Sequence, residues 1–316
     1  MPTCPVNMAD YAWNGIGLTA LPGWEPSVIE RDGLFLADSL GPVCELKWNR
    51  VSGTFSFDKH IRKLTKGNKG AVVRAANAAE IPDAWAQSVD RLAESGLRAK
   101  SFLWQADGNR GLGAALHHPG TGLACLIQFF IRNEEDEPMA AGVLATLRDF
   151  TGGKTVPWTM FGMAARVPAD FLLDTFSFQP GHYRVAWWRP ASGKRSGRVP
   201  TGKGPGTRLD FERFAPASVL LKGTNLEAWC RDRLTHAPPK SVPVDNGPGR
   251  IDWRGAAKTS LLRRTLRREV RTCGRAWTPD SGNVVLAVAA EGVVPLGPST
   301  FNDICGSFTL VPEETV

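Results

Sequence analysis

Apolar and polar residues alternate along several short stretches of the chain, and such stretches occur in both halves. Alternation with a period of two puts successive side chains on opposite faces of a strand, and a Gly-Pro or Pro-Gly pair between two stretches marks a turn. The pattern therefore predicts β-hairpins at residues 34–48 in the first half and 176–188 in the second.

Two other segments repeat their apolar residues with helical spacing. The first is predicted to end at Gly96, and its apolar stripe consists of Ile81, Trp85, Val89 and Leu92. The second, residues 228–234, follows Thr224-Asn225-Leu226-Glu227. This tetrapeptide predicts a capping box, in which each end side chain satisfies the other residue's backbone donor.

Similar segments recur in the same order in the two halves. Trp13 and Trp158 each precede a glycine by four positions, and Pro119 and Pro279 each open a Pro-x-Ser/Thr-Gly turn before an apolar strand. Because several such matches keep their order, the sequence indicates a tandem duplication. We therefore expect Trp13 to correspond to Trp158, and Pro119 to Pro279.

Each half is then predicted to contain a hairpin, a strand, two helices, an antiparallel meander and a closing helix, the last at 143–147 and 304–308. Strands segregated from helices indicate the α+β class. We expect two similar domains, each an antiparallel sheet with flanking helices. Their boundary is predicted at residues 151–154, so that the domains span 1–152 and 153–316.

This order of elements resembles the Mog1/PsbP-like fold, including the DcrB-type small domains, arranged in tandem. The residues that carry the resemblance are Pro22-Gly23-Trp24, Pro168-Ala169-Asp170-Phe171 and the closing Ile304 to Phe308. It covers most of each half, although residues 143–147 keep only the apolar spacing of the family's last helix. The resemblance implies a binding or assembly role without catalysis, and no site residues.

Composition places the chain among globular proteins, since 42% of its 316 residues are hydrophobic and 22% are charged. The opening residues, MPTCPVNMAD, lack the pattern of a signal peptide, and the most apolar stretch, 123–131, is too short to span a bilayer. The six cysteines form no CxxC pair. We therefore expect a cytoplasmic protein with reduced thiols and no membrane span.

The net charge of +7 is distributed unevenly. Residues 1–152 hold 15 basic and 17 acidic side chains, whereas residues 153–316 hold 23 basic and 14 acidic ones. Much of the positive charge lies in two predicted insertions, 189–208 and 254–271. A basic half attracts nucleic acid, anionic lipid or an acidic protein, but it is equally compatible with a solvated face that maintains solubility.

The candidate anion-binding residues come from these insertions. In the second insertion we predict a helix whose arginines share one face, an arrangement suited to phosphates or carboxylates. The alternative is a surface helix that pairs with acidic side chains. The candidates are Lys194, Arg195, Arg198 and Lys203 in the first insertion, and Arg263, Arg264, Arg267, Arg268 and Arg271 in the second.

Trp187 and Trp188 are candidate stacking residues beside the first basic insertion. Neighbouring residues of a strand point to opposite faces, so one of the two rings is expected to be exposed or to lie in an interface. The alternative is that both are core residues, as expected for most tryptophans of this chain.

No catalytic motif, metal-ligand spacing or cofactor signature occurs in the sequence. We therefore expect no cofactor. We also expect a binding or assembly protein rather than an enzyme, with an unknown protein or a polyanion as its partner. Two alternatives stay open: a nucleic-acid or polyanion binder that uses the basic second half, and an enzyme with a site between the halves.

Overall fold

The computed structural model describes residues 9–67, 70, 72–106, 108–191, 205–257 and 269–311. The chain forms two compact units that divide between Phe161 and Gly162. The sequence places the boundary earlier, at residues 151–154. The difference arises because the strand Thr155–Met160 belongs to the first unit, where its Thr159 pairs with Ala12.

The first unit contains a hairpin, a large sheet and three helices. The helices are α1 (Phe57–Gly67), α2 (Asp83–Glu94) and α3 (Asp136–Leu144), with a short 3-10 helix at Ala78–Glu80. The strands are β1 (Ala9–Trp13), β2 (Ile16–Ala20), β3 (Glu25–Glu30), β4 (Gly33–Asp38), β5 (Gly41–Arg50), β6 (Val72–Ala75), β7 (Arg98–Ala106), β8 (Asn109–His118), β9 (Leu123–Ile131), β10 (Arg148–Asp149) and β11 (Thr155–Met160).

The second unit is built from the same kinds of element. Its helices are α4 (Ala217–Leu220), α5 (Leu226–Arg233) and α6 (Pro298–Ser307). Its strands are β12 (Met163–Pro168), β13 (Leu172–Gln179), β14 (His182–Pro190), β15 (Gly206–Phe214), β16 (Val244–Gly247), β17 (Arg250–Ala256), β18 (Arg271–Trp277), β19 (Val285–Gly292) and β20 (Thr309–Leu310).

Each unit holds one seven-stranded antiparallel sheet. The strand order is β3-β4-β5-β9-β8-β7-β6 in the first unit and β13-β14-β15-β19-β18-β17-β16 in the second. When the seven strands of each sheet are counted in chain order, both sheets have the spatial order 1-2-3-7-6-5-4. Smaller antiparallel pairings join β10, β2, β1 and β11 in the first unit, and β12 and β20 in the second. The α+β class with antiparallel sheets is confirmed.

The expected match of Trp13 with Trp158 is wrong by two positions. Two residues with positive φ follow β1, namely Asn14 (44°) and Gly15 (91°), and two follow β11, namely Phe161 (49°) and Gly162 (67°). Trp13 is the last residue of β1 and directly precedes its turn, whereas the last residue of β11 is Met160, and Trp158 lies two residues earlier. The turns correspond because a tight hairpin requires this backbone, whereas any large apolar residue fills the strand position.

The second expected match agrees with the topology. Pro119 directly follows His118, the last residue of β8, and Pro279 lies two residues after the end of β18. Each of these strands is the sixth of its sheet in chain order, so the two prolines lie in equivalent connections of the two units.

The structure has both of the helices predicted from apolar spacing. In α2 the buried residues are Trp85, Ser88 and Leu92, and Gly96 follows the helix with a φ of 86°. In α5 the N-cap is Asn225, whose Oδ1 accepts a hydrogen bond from Ala228 N–H, so the predicted cap at Thr224 is one residue too early. The two closing helices begin earlier than expected, with α3 at Asp136 and α6 at Pro298.

Helices cover both faces of the second sheet. On one face Phe214 of β15 packs edge-on against Trp229 of α5, with ring centroids 4.9 Å apart. On the other face Phe211 packs against Phe308, at the end of α6, at 5.2 Å. Among the described residues, no helix is long and apolar enough to cross a bilayer.

A tryptophan lies over a glycine of the neighbouring strand in each unit. Trp104 pairs with Gly111 across β7 and β8, and Trp253 pairs with Gly274 across β17 and β18. A Cβ atom added to Gly274 would lie 1.9 Å from the Trp253 ring, and one added to Gly111 would lie 2.4 Å from Trp104 Nε1. The missing glycine side chain therefore provides the space for each indole.

Candidate functional site

All but one of the basic candidates lie outside the described residues. These are Lys194, Arg195, Arg198, Lys203, Arg263, Arg264, Arg267 and Arg268. The exception, Arg271, is the first residue of strand β18 rather than part of a helix. It pairs with Ala256 and Gly292 of the neighbouring strands, so the expectation that it continues a helical stripe is wrong.

The tryptophan candidates offer no free ring face. Trp187 is 2% exposed and Trp188 is 7% exposed, although they point to opposite faces of β14 as expected. Both are buried because helices cover both faces of this sheet. The Trp188 ring also lies over Gly206, where an added Cβ would be 2.2 Å from it. The stacking role is therefore corrected to a core role.

The second unit contains a cavity of about 480 Å³ on the face of the sheet that α6 covers. Its floor comes from neighbouring strand positions, since Arg254 pairs with Cys273, and Cys273 with Ala290. Residues 294–297, which lead into α6, form the wall that faces this floor. The lining residues are Thr207, Arg254, Gly255, Arg271, Thr272, Cys273, Ala290, Val294, Pro295, Leu296, Gly297 and Pro298, and we call this space the basic cavity.

Arg254 is the cation that distinguishes this cavity. Its guanidinium donates a hydrogen bond from Nη1 to the carbonyl oxygen of Leu296 at 3.0 Å and lies 5.6 Å from the ring centroid of Phe301. Within the described part of the chain, no carboxylate lies within ion-pair distance of Arg254. Arg254 is solvent-exposed; these contacts orient its guanidinium, and its remaining N–H groups have no anionic partner among the residues that the structure describes.

The nearest acid along the strand is already paired. Asp252 accepts from Arg250 at 2.5 Å and from Arg275 at 2.7 Å. Arg275 in turn donates to Asn302 Oδ1 at 3.0 Å. Asp252 and Asn302 line a neighbouring cavity of about 470 Å³ that shares Arg254 and Pro298 with the basic cavity.

The second cation of the basic cavity is partly neutralised. Arg271 pairs with Glu269 at 2.6 Å, and about half of each side chain is exposed to solvent. Exposed pairs of this kind contribute little stability and exchange partners readily. Arg271 therefore adds positive charge near the cavity without the fixed orientation of Arg254.

The thiol in the cavity is not an activated nucleophile. Burial raises the pKa of Cys273 to about 11, although the charge of Arg254 acts in the opposite direction. A thiol of this pKa is protonated near neutral pH, whereas the thiolate is the reactive form. Cys273 therefore serves as an apolar wall residue.

A second cluster of charge lies on the opposite face of the same sheet, beneath the end of α5. Asp210 and Glu212 occupy alternate positions of β15 and are 0% and 2% exposed. Glu212 accepts hydrogen bonds from His182 Nε2 at 2.8 Å and from the backbone and hydroxyl of Thr235, each at 3.0 Å. Its carboxylate is therefore well satisfied.

Asp210 is less well satisfied than Glu212. Its Oδ1 accepts two hydrogen bonds from the guanidinium of Arg184, one of them from Nε at 2.8 Å. Its Oδ2 lies 3.3 Å from His236 Nε2, within ion-pair distance, but neither atom has a hydrogen-bond partner among the described residues. Burial raises the pKa of Asp210, while His236 and Arg184 act to lower it.

Sequence reasoning missed both clusters. The signal for Asp210 and Glu212 was present, because two acids alternate with Leu209 and Phe211 in a segment that is otherwise strand-like. No local signal marks Arg254, since its lack of a carboxylate partner depends on where distant chain segments lie. Within the described residues no group of three or more His, Cys, Asp or Glu side chains is arranged to hold a metal ion.

Comparison with known proteins finds no matching family model and no matching curated protein. A crystal structure of a protein from Bacteroides thetaiotaomicron VPI-5482 is 13% identical, with a TM-score of 0.25 over 48% of this chain and 49% of that one. This chain thus covers about half of that protein's length. The apo structure of the T6SS immunity protein TplEi from Pseudomonas aeruginosa is 10% identical, with a TM-score of 0.26, covering 96% and 97% of the two chains. Similarity this low identifies neither fold nor function.

Proposed function

We propose that this protein is a binding protein without catalytic activity, and that the basic cavity of its second unit holds an anionic group of the ligand. The observation that carries the proposal is Arg254, a cation on the floor of the cavity that is oriented by its hydrogen bond to Leu296 and has no carboxylate partner among the described residues. Oriented guanidinium groups form short, charge-assisted hydrogen bonds to anions. The start of α6 at Pro298 adds the positive end of a helix dipole.

The chemistry around the cavity supports binding rather than catalysis. Cys273, the only thiol among the described lining residues, has a raised pKa. Cys230 and Cys305 of the second unit behave in the same way, since burial raises each pKa to about 12. The Glu212 and Asp210 carboxylates are paired with histidine and arginine side chains on the opposite face of the sheet, away from the basic cavity.

The proposal predicts a site-specific loss of anion binding in Arg254→Gln. Inorganic phosphate added at constant ionic strength should shift the backbone amide signals of Gly255, Leu296 and Gly297 in a saturable way. Loss of one charged hydrogen-bond donor should weaken this binding by about tenfold. Two-dimensional amide NMR measures the shifts.

Arg250→Gln is the matched control, because it removes the same charge from the same strand outside the cavity lining. Its shifts should be those of the unchanged protein. Equal shifts in both variants, or shifts spread over the surface, would show that phosphate does not bind at Arg254.

A second candidate function is polyanion binding by the basic segments, as the charge distribution indicates. Residues 258–268 include five basic and no acidic side chains, and they connect β17 to β18 beside Arg271. Clustered cations bind a phosphate backbone with an affinity that falls steeply with salt.

If this second candidate holds, replacing Arg263, Arg264, Arg267 and Arg268 with Ala should sharply lower retention on heparin and flatten the salt dependence. Folding, followed by circular dichroism, should change little. No retention of the unchanged protein at low salt would eliminate this candidate.

We further propose that the two units arose by duplication and resemble tandem Mog1/PsbP-like domains. The identical strand orders, the two hairpin turns with positive φ and the tryptophan–glycine pairs support duplication. If the two tryptophan–glycine pairs correspond, Gln105, which follows Trp104, corresponds to Arg254, which follows Trp253. Gln105 carries no charge, so on this view the anion site is a property of the second unit.

A further inference from the structure

The apolar character of the basic cavity narrows the class of anion that it can take. Most of its lining is apolar or glycine, and its hydroxyl and charged groups lie among the strand residues. A volume of about 480 Å³ is within the range of small-molecule sites, which are typically apolar with a few polar groups that fix orientation. A fully hydrated inorganic ion would make no apolar contact with these walls.

The wall opposite the sheet is held in place by the protein itself. Thr207 is 1% exposed, and its hydroxyl donates to the Val294 carbonyl at 2.5 Å and accepts from Val294 N–H at 3.2 Å. Arg189 donates to the same carbonyl at 3.1 Å. Pro295 and Pro298 further restrict this segment. The cavity is therefore preformed, which lowers the entropic cost of binding.

Arg254 provides the orienting charge. Its planar guanidinium can form two parallel hydrogen bonds to a carboxylate, while the hydrogen bond from Nη1 to the Leu296 carbonyl oxygen helps to orient it. A polyphosphate would require several oriented cations, whereas the only other cation among the described lining residues, Arg271, is paired with Glu269. One oriented arginine beside apolar walls fits one carboxylate on an apolar body.

We propose that the basic cavity binds an organic carboxylate with an apolar chain, the carboxylate on Arg254 and the chain against Val294, Pro295 and Leu296. This inference rests on the proposed function and specifies its ligand class. The same chemistry occurs in a free alkyl carboxylate and in the C-terminal apolar residue of a polypeptide. Octanoate represents the first source and N-acetylleucine the second.

Calorimetric titration of the full chain tests the inference with octanoate, N-acetylleucine, acetate, 1-octanol and inorganic phosphate. At least one of the first two should bind at least tenfold more tightly than acetate, 1-octanol or phosphate. Arg254→Gln should weaken that binding about tenfold or more, and Arg254→Lys by less, because it keeps the charge but not the planar fork. Arg250→Gln should have no effect.

The outcomes separate this inference from the proposed function. If phosphate binds as tightly as octanoate and N-acetylleucine, and its binding depends on Arg254, the preference for an apolar carboxylate is overturned but an anion site remains. Binding of 1-octanol as tight as octanoate removes the role of charge and overturns both. Lack of binding by both carboxylates overturns the inference, and if phosphate also fails, the proposed function fails with it.

Discussion

Arg184→Met should lower the free energy of unfolding at pH 7 by about 3–5 kcal/mol, the usual cost of removing one partner of a buried ion pair. Asp210 is fully buried, and Arg184 donates two hydrogen bonds to its carboxylate. His236 lies 3.3 Å from the other oxygen without a hydrogen bond. Methionine retains much of the apolar contact of arginine but leaves the carboxylate without a donor.

The deficit of Arg184→Met should shrink as the pH falls. Burial already raises the pKa of Asp210, and the loss of Arg184 removes one cause that lowers it. A carboxyl with a raised pKa in the folded chain destabilises the fold as the pH rises from the ordinary value of 3.8 through the folded value. Urea unfolding at pH 4 and pH 7 should therefore show the smaller deficit at pH 4.

The double variant with Asp210→Asn provides the control. Asparagine is uncharged, so it should recover part of the stability lost in Arg184→Met and remove the pH dependence of the deficit. Nearby Glu212 keeps its own donors, His182 and Thr235, in each variant. A double variant no more stable than Arg184→Met alone would mean that the buried charge of Asp210 is not the source of the loss.

Gly274→Ala should destabilise the second unit by about 1–3 kcal/mol or more, the cost of overpacking a core. The added Cβ atom would lie 1.9 Å from the ring of Trp253, which is 3% exposed and packed in the core beneath α5. The indole cannot move without disturbing its neighbours, so the strain falls on the pairing of β17 with β18. Thermal or urea unfolding measures the loss.

Gly247→Ala is the matched control for Gly274→Ala. Gly247 also lies in a strand of this sheet, but the nearest atom to an added Cβ is the Arg250 carbonyl oxygen at 3.8 Å. The change should stay within about 0.5 kcal/mol. In a Trp253→Leu background, Gly274→Ala should cost less than in the unchanged protein, since the two residues are in contact. Equal losses at Gly274 and Gly247 would contradict the steric argument.

The sequence alone determined the features that depend on neighbouring residues. The apolar stripe that starts at Ile81 predicted α2, although only its members Trp85 and Leu92 are buried in that helix. Alternation predicted the hairpins at 34–48 and 176–188, and segregated strands and helices predicted the α+β class. Such signals are local because strand alternation, helical spacing and turn residues reflect backbone geometry over a few positions. Matching by residue type was less reliable, as the shift between Trp13 and Trp158 shows.

The tertiary structure decided the features that depend on distant residues. Contacts between segments far apart in the chain account for three of them. These are the pairing of strand 155–160 with β1, the burial of both Trp187 and Trp188, and the position of Arg271 in a strand. Arg254 is oriented by Leu296 and Phe301, which are more than 40 positions away in the sequence and come close to it only in the folded chain. Whether a charged or aromatic side chain is paired, buried or free depends on long-range packing, which local periodicity does not encode.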